Sequence, residues 1–214
     1  ITLDIRDQQR AIAGTVAFHG RVPLVRTFLQ PGIMGPFAYI PAMECYHGIV
    51  SLDHELSGLL TIDGLAHDFW NGQGYIEKDW GTNFPSAYVW TQSNHFSTPG
   101  TSLSASIARI PLWGLNFPGF IIALWHNGTH HRWATYTRAK TERLQISDQD
   151  VRWVVGDSRT RLTITVERKA GGLLKAPIRT EMHKRVEETM QSKVTIRLEK
   201  RDGRIILQDT GDCA

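Results

Sequence analysis

Cysteine is scarce: Cys45 and Cys213 are the two in 214 residues. They make no disulfide framework and no zinc motif, which excludes the small folds held together by either. Long apolar runs are missing too, and nothing reaches the ~20 consecutive residues a membrane-spanning helix needs. The nearest stretch, Ile110 to Trp125, is broken by Pro111, Gly114, Asn116, Pro118 and Gly119. It reads as a loop feeding a buried strand. Charge of one sign is not concentrated anywhere. The basic stretches Arg179 to Arg185 and Lys193 to Arg204 are interleaved with Glu181, Glu199 and Asp202, and the formal net charge is only +3. Such mixtures are solvated faces, so no nucleic-acid partner is expected. Internal repeats, a Gly-x-Ser-x-Gly elbow, a phosphate loop and a dinucleotide fingerprint are all absent. His126, His130 and His131 flank an Asn127-Gly128 turn with no metal-site spacing, and no metal is expected.

Period-two alternation is abundant. Thr160-Arg-Leu-Thr-Ile-Thr-Val166 and Lys193-Val-Thr-Ile-Arg-Leu-Glu199 alternate apolar with polar residues, as half-buried strands do. Asp63-Gly64, Asn127-Gly128 and Asp202-Gly203 punctuate such runs with the residues that tight antiparallel turns favour. About a dozen short strands with frequent turns predict a mainly β sandwich or barrel. One segment competes as a helix: in Glu181 to Gln191, Met182, Val186 and Met190 recur every four residues behind a possible Thr180 cap. The same positions also share one face of a strand. The best boundary is Asn71-Gly-Gln-Gly74, dividing the chain into residues 1–72 and 73–214.

The chemistry concentrates just after that boundary. In Gly74-Tyr-Ile-Glu-Lys-Asp-Trp-Gly81, read as a strand, Tyr75, Glu77 and Asp79 share a face, and Ile76, Lys78 and Trp80 share the other. Two carboxylates on one face, with Cα atoms about 6.5 to 7 Å apart, repel each other. On a dry face, repulsion and desolvation raise at least one pKa, and an acid protonated near neutral pH can act as a general acid. On a wet face the same pair is an ordinary solvated edge. In the next strand Tyr88, Trp90, Gln92, Asn94 and Phe96 share a face, aromatic with two amides in it. That lining suits a long apolar ligand with a polar head, and its rings could stabilise a carbocation; it equally suits plain core.

Tyr75-Ile-Glu-Lys-Asp-Trp-Gly81, Phe84-Pro85 and Trp90-Thr-Gln-Ser-Asn94 together resemble the tocopherol cyclase family, with its Glu-Lys-Asp/Asn-Trp-Gly box, Phe-Pro and Trp-x-Gln-x-Asn strand. The resemblance extends upstream through Gly35-Pro-Phe-Ala-Tyr-Ile-Pro41, Met43-Glu-Cys-Tyr-His47, Ser51-Leu-Asp-His54 and Leu56-Ser-Gly58. Downstream it takes in Leu173-Leu-Lys-Ala-Pro177 and Val194 to Leu207. The Met43 to His47 version is similar to the bacterial branch. The resemblance implies antiparallel lipocalin-like (calycin) β-barrels, two in a full-length protein. Residues 1–72 would be the later part of the first barrel, and 73–214 the second barrel with the box. It also implies no cofactor, and ring closure of a phytylated hydroquinone to a chromanol by protonation of a trisubstituted alkene. The family is related to carotenoid 1,2-hydratase-like proteins, whose similar acidic box lines up with Glu77, Asp79 and Trp80.

On this reading Glu77 or Asp79 is the acid. Trp80, Tyr88 and Trp90 line the cavity, although Trp80 is on the opposite face of its strand. Gln92 and Asn94 orient the quinol oxygens. Glu44, His47, Asp53 and His54 form a polar cluster between apolar strands, from which Glu44 and His47 are further candidates for the site. His95 points away from the Trp90 face and reads as structural. The partner expected is a hydrophobic prenylated aromatic or isoprenoid substrate. Peripheral membrane contact through Ile110 to Gly119, notably Trp113 and Phe117, goes with a cytoplasmic or membrane-peripheral location. The chain starts at Ile1 directly in strand pattern, so a longer natural protein is expected. Water capture of the cation, as in a hydratase, and a non-catalytic carrier remain as alternatives.

Overall fold

A computed structural model describes residues 1–41, 43–112, 115–178 and 181–214. The described residues contain no α-helix, only strands and two short 3-10 turns, Gly35–Tyr39 and Thr135–Thr137. Strands β1 (Thr2–Arg6), β2 (Ala11–His19), β3 (Cys45–Ile62), β4 (Leu65–Asp68) and β5 (Gly72–Gly81) form one antiparallel sheet. Asp63 and Gly64, with φ of 50° and 84°, make the β3–β4 turn that their identities predict. Eighteen-residue β3 serves several partners: β2 along its second half, β4 at its end and β5 along its first half. Register shifts between Ile49 and Ser51, and between Ser51 and His54, bend it.

The remaining strands are β6 (Tyr88–Ser93), β7 (His95–Phe96), β8 (Ser102–Leu112), β9 (Leu115–His126), β10 (Thr129–Ala134), β11 (Lys140–Ile146), β12 (Asp150–Gly156), β13 (Thr160–Glu167), β14 (Gly172–Ile178), β15 (Glu181–Glu188), β16 (Ser192–Lys200) and β17 (Ile205–Cys213). They pair as β10-β9-β8-β6 and as β11-β12-β13-β16-β17-β7. Inward residues of both sheets meet in one core, including Leu103, Ile122, Leu124, Trp133, Val155, Leu162, Ile196 and Leu198. The alternation in β13 and β16 puts Leu162, Ile164, Val194, Ile196 and Leu198 inside at 0–1% exposure. Burying each such side chain contributes about 1.5–3 kcal/mol.

Reciprocal backbone hydrogen bonds between Gln92 and Ala214 (3.0 and 3.1 Å) join these two sheets along one side. Across the other side, β10 and β11 are linked by the Thr135–Thr137 turn without a ladder. Among the described residues the expected lipocalin-like barrel is therefore not closed by hydrogen bonds. The helix alternative for Glu181 to Gln191 is overturned: Glu181–Glu188 is β15, paired with β14. A period of four is also an even number of strand residues, and pairing decides it; Val186 is buried while Met182 and Met190 are exposed. Thr180 lies outside the described residues. The box strand also differs from its expected placement. β5 begins at the 72/73 boundary and hydrogen-bonds to β3, so the box belongs to the first sheet.

A second apolar cluster, Leu24, Ile33, Ile49, Leu52 and Ala123, packs that first sheet and the 21–41 segment against the outer face of β9. Polar links cross the same seam. The Ser102 hydroxyl donates to the Leu52 carbonyl (2.6 Å), and the Arg132 guanidinium to Gln30 Oε1 (2.7 Å) and the Val25 carbonyl (2.6 Å).

Candidate active site

Antiparallel pairing of β3 with β5 places His47 directly opposite Asp79, and Ile49 opposite Glu77. Residues facing each other across strands have neighbouring Cβ atoms, and diagonal ones are within reach of long side chains. His47 thus meets both carboxylates. Its Nδ1 lies 2.6 Å from Asp79 Oδ1, and its Nε2 3.4 Å from Glu77 Oε2, an ion-pair separation without hydrogen-bond alignment. The Tyr75 hydroxyl, on the same face of β5, donates to Glu77 Oε2. The backbone N–H of His47 donates to the sulfur of Met34 (3.1 Å), which fixes that strand beneath the 21–41 segment.

Electrostatics follow from this burial. Glu77, with 12% of its side chain exposed, is pushed up from an ordinary 4.5 to about 6. Burial raises it most. The positive charge of His47 and the Tyr75 hydrogen bond pull it down, and the charge of Asp79 adds to the rise. For His47, burial opposes the imidazolium, but the hydrogen bond to Asp79 and the charges of both carboxylates outweigh it and raise the pKa. Tyr75 is raised well above the ordinary phenol range by burial and then by Glu77, so it stays a donor. Burial, with Asp79 and Glu77, pushes the Cys45 thiol up to about 12 and keeps it neutral.

The box glycine has a geometric cause. Gly81 sits at φ 150°, and a Cβ there would lie 2.1 Å from the Glu44 carbonyl oxygen. Only glycine lets β5 approach β3 closely at this end. Trp80 is on the other face, as alternation requires. It is 47% exposed, stacks on Tyr46 (5.4 Å between ring centroids) and lies under the Lys78 ammonium. The expected place for Trp80 in the cavity wall is therefore corrected.

His47 and Asp79 open onto an apolar cavity of about 150 Å³, whose wall includes Tyr88, Trp90, Phe37, Phe117 and Phe120. Tyr88 and Trp90 reach this wall from β6. Gln92 on β6 and Asn94 just past its end do not line this cavity. At about 3.3 Å per residue they lie further along. There the Asn94 amide faces Asp53, whose carboxyl burial raises and the amide lowers. Glu44 is exposed, accepting from Asn83 Nδ2 (3.3 Å), and is separate from the cavity. The polar cluster read from the sequence is divided. His47 enters the site, whereas His54 is buried beside the Ser51 hydroxyl (3.1 Å). Phe117, expected at a membrane, lines the cavity and packs near Phe37; Trp113 lies outside the described residues. His47, Glu77 and Asp79 also have donor atoms within 4.8 Å of one another, the one such group found among the described residues. Holding a cation there would require His47 to be neutral, with one ring nitrogen free to ligate.

Glu188, at the end of β15, also lines the cavity. Sequence reasoning missed it. Its approach depends on the β14–β15 hairpin folding back towards β5, and no local pattern carries that information.

A probable chloroplastic tocopherol cyclase of Oryza sativa subsp. japonica is 34% identical over 71 residues, a match that spans 33% of this chain and 15% of the rice protein. The solved structure of kievitone hydratase from Nectria haematococca is similar over 99% of this chain and 69% of its own, at 13% identity and a TM-score of 0.47. The tocopherol cyclase-like family model matches residues 24–214, and the chain belongs to that family.

Proposed function

We propose that this protein closes a ring on a prenylated quinol, on a scaffold that is an opened form of a lipocalin-like barrel. The carrying observation is the buried Glu77 carboxyl, held at about 6, beside a His47–Asp79 pair that opens onto an apolar and aromatic cavity. Glu77 donates its proton to the trisubstituted alkene and a tertiary cation forms. The rings of Trp90 and Tyr88 stabilise it by cation–π attraction. The phenol oxygen captures the cation and loses its proton. Asp79 holds His47 protonated, and His47 stabilises the Glu77 carboxylate left after proton transfer. The Trp90 indole N–H, buried without a partner among the described residues, is available to a ligand oxygen. A protein of this class meets its substrate at a bilayer, which keeps peripheral membrane contact and a cytoplasmic or membrane-peripheral location part of this reading.

The test uses the full-length protein with a phytylated benzoquinol in deuterated water, with products read by mass spectrometry. A chromanol carrying one carbon-bound deuterium supports the cyclase. A labelled tertiary alcohol makes the protein a hydratase, with water replacing the phenol. Bound but unreacted quinol points to a carrier and removes the reading.

A further inference from the structure

The apolar cavity does not end at the box. A wider cleft of about 660 Å³ adjoins it, and Pro85, Tyr88, Trp90 and Glu188 line both. The two spaces differ in chemistry. Beyond the shared residues the first is walled mostly by Phe, Met and Ile side chains, with His47 and Asp79 among them, whereas the second includes Asp148, Glu167, Arg168 and Lys169. Glu188 sits at this change from apolar to polar. Its carboxylate accepts no hydrogen bond and makes no ion pair with any described residue, and it shares the cavity wall with His47 and Asp79. A half-buried carboxylate with unfilled acceptor capacity at a cavity wall is a hydrogen-bond acceptor waiting for a donor.

We propose that Glu188 recognises a hydroxyl of the ligand and accepts its proton when the ring closes. This rests on the cyclase reading for the second half of the role and on geometry alone for the first. It also orients the substrate: the prenyl chain and its alkene lie in the apolar cavity on the side of His47 and Asp79, next to which Glu77 sits, and the hydroxylated ring lies at the junction with the polar cleft. The protons balance without an oxidant or co-reactant. Glu77 loses one proton to the alkene carbon, and the C–O bond forms as the phenolic O–H bond breaks. Glu188 gains the released proton, and exchange with solvent through the cleft resets both carboxyls. Burial and the negative charge of Asp79 raise the Glu188 pKa, which suits a carboxylate that takes up a proton in turnover.

The experiment measures binding of a prenylated benzoquinol and of its dimethyl ether to the full-length protein, through Trp fluorescence, and turnover of the quinol in parallel. Wild type is expected to bind the quinol about tenfold or more tightly than the ether, the size of a hydrogen bond to a charged group. Glu188→Ala is expected to abolish that preference while leaving ether affinity unchanged, and Glu188→Gln, which preserves shape, to reduce it partly. Glu188→Ala should also lower kcat. A preference that survives in Glu188→Ala, or no preference in wild type, overturns the assignment. Preference lost in the variant, with no chromanol from wild type, keeps Glu188 as the hydroxyl contact and sinks the cyclase reading instead. Chromanol formed at full rate by Glu188→Ala sinks the proton-accepting role and leaves the cyclase intact.

Discussion

At Glu77 two opposing environments act on one carboxyl. Burial makes it a weak acid, while His47 and Tyr75 support its ionised form. To act as a general acid it must be protonated, and with its pKa at about 6 that fraction falls tenfold per pH unit above. The rate kcat/KM is therefore expected to decline as pH rises through about 6, in a steady-state pH profile. Since the charge of His47 lowers the Glu77 pKa, His47→Gln should move this limb to higher pH as well as slow turnover. A limb that stays in place would mean that another group titrates. Glu77→Gln is expected to lower kcat by about 10²-fold or more with substrate affinity kept. It also has a stability signature. A folded-state carboxyl raised from 4.5 to about 6 binds its proton more tightly than in the unfolded chain. Its contribution is full below about 4.5 and is lost as pH rises towards 6. Thermal unfolding of Glu77→Gln across that window should be flatter in pH than wild type.

Strand β5 shows how far alternation carries an argument and where it stops. The shared face of Tyr75, Glu77 and Asp79, and the opposite face of Trp80, follow from a period of two and are what the structure contains. The partner of that face does not follow. β5 pairs with β3 across an intervening strand, with two register shifts, so the meeting of His47 and Asp79 is a property of the ladder. A one-residue slip would turn His47 to the opposite side. Gly81 keeps that end of the ladder in place. Gly81→Ala, with a Cβ 2.1 Å from the Glu44 carbonyl oxygen, is expected to cost about 3 kcal/mol or more in urea unfolding. It should impair turnover beyond the stability loss, because it displaces the strand that carries Glu77 and Asp79. The β14–β15 hairpin gives the opposite lesson. Met182, Val186 and Met190 fit a helix as well as a strand, and pairing with β14 settles the matter. Glu188, which ends that hairpin, is silent in any one-dimensional pattern.

Across the molecule, the first sheet and the β10-β9-β8-β6 sheet share the cluster of Leu24, Ile33, Ile49, Leu52 and Ala123, with Ser102 hydrogen-bonded to the Leu52 carbonyl across the seam. A seam without exposed Leu52 surface binds their stabilities together. Wild type is expected to unfold in one calorimetric transition. Leu52→Ala should cost about 2–5 kcal/mol and broaden or split that transition. Two transitions already present in wild type would show the sheets to be independent. The amino-acid sequence by itself determined the mainly β class, the family and the acidic face of the box, because strand alternation, turn residues and a contiguous motif are all local. Tertiary structure alone decided which histidine joins the acids, that Gln92 and Asn94 pass the cavity by, and that a distant hairpin brings Glu188 to it. Those are contacts between segments separated by tens of residues, set by ladder register and by sheet-on-sheet packing, and no local pattern records them.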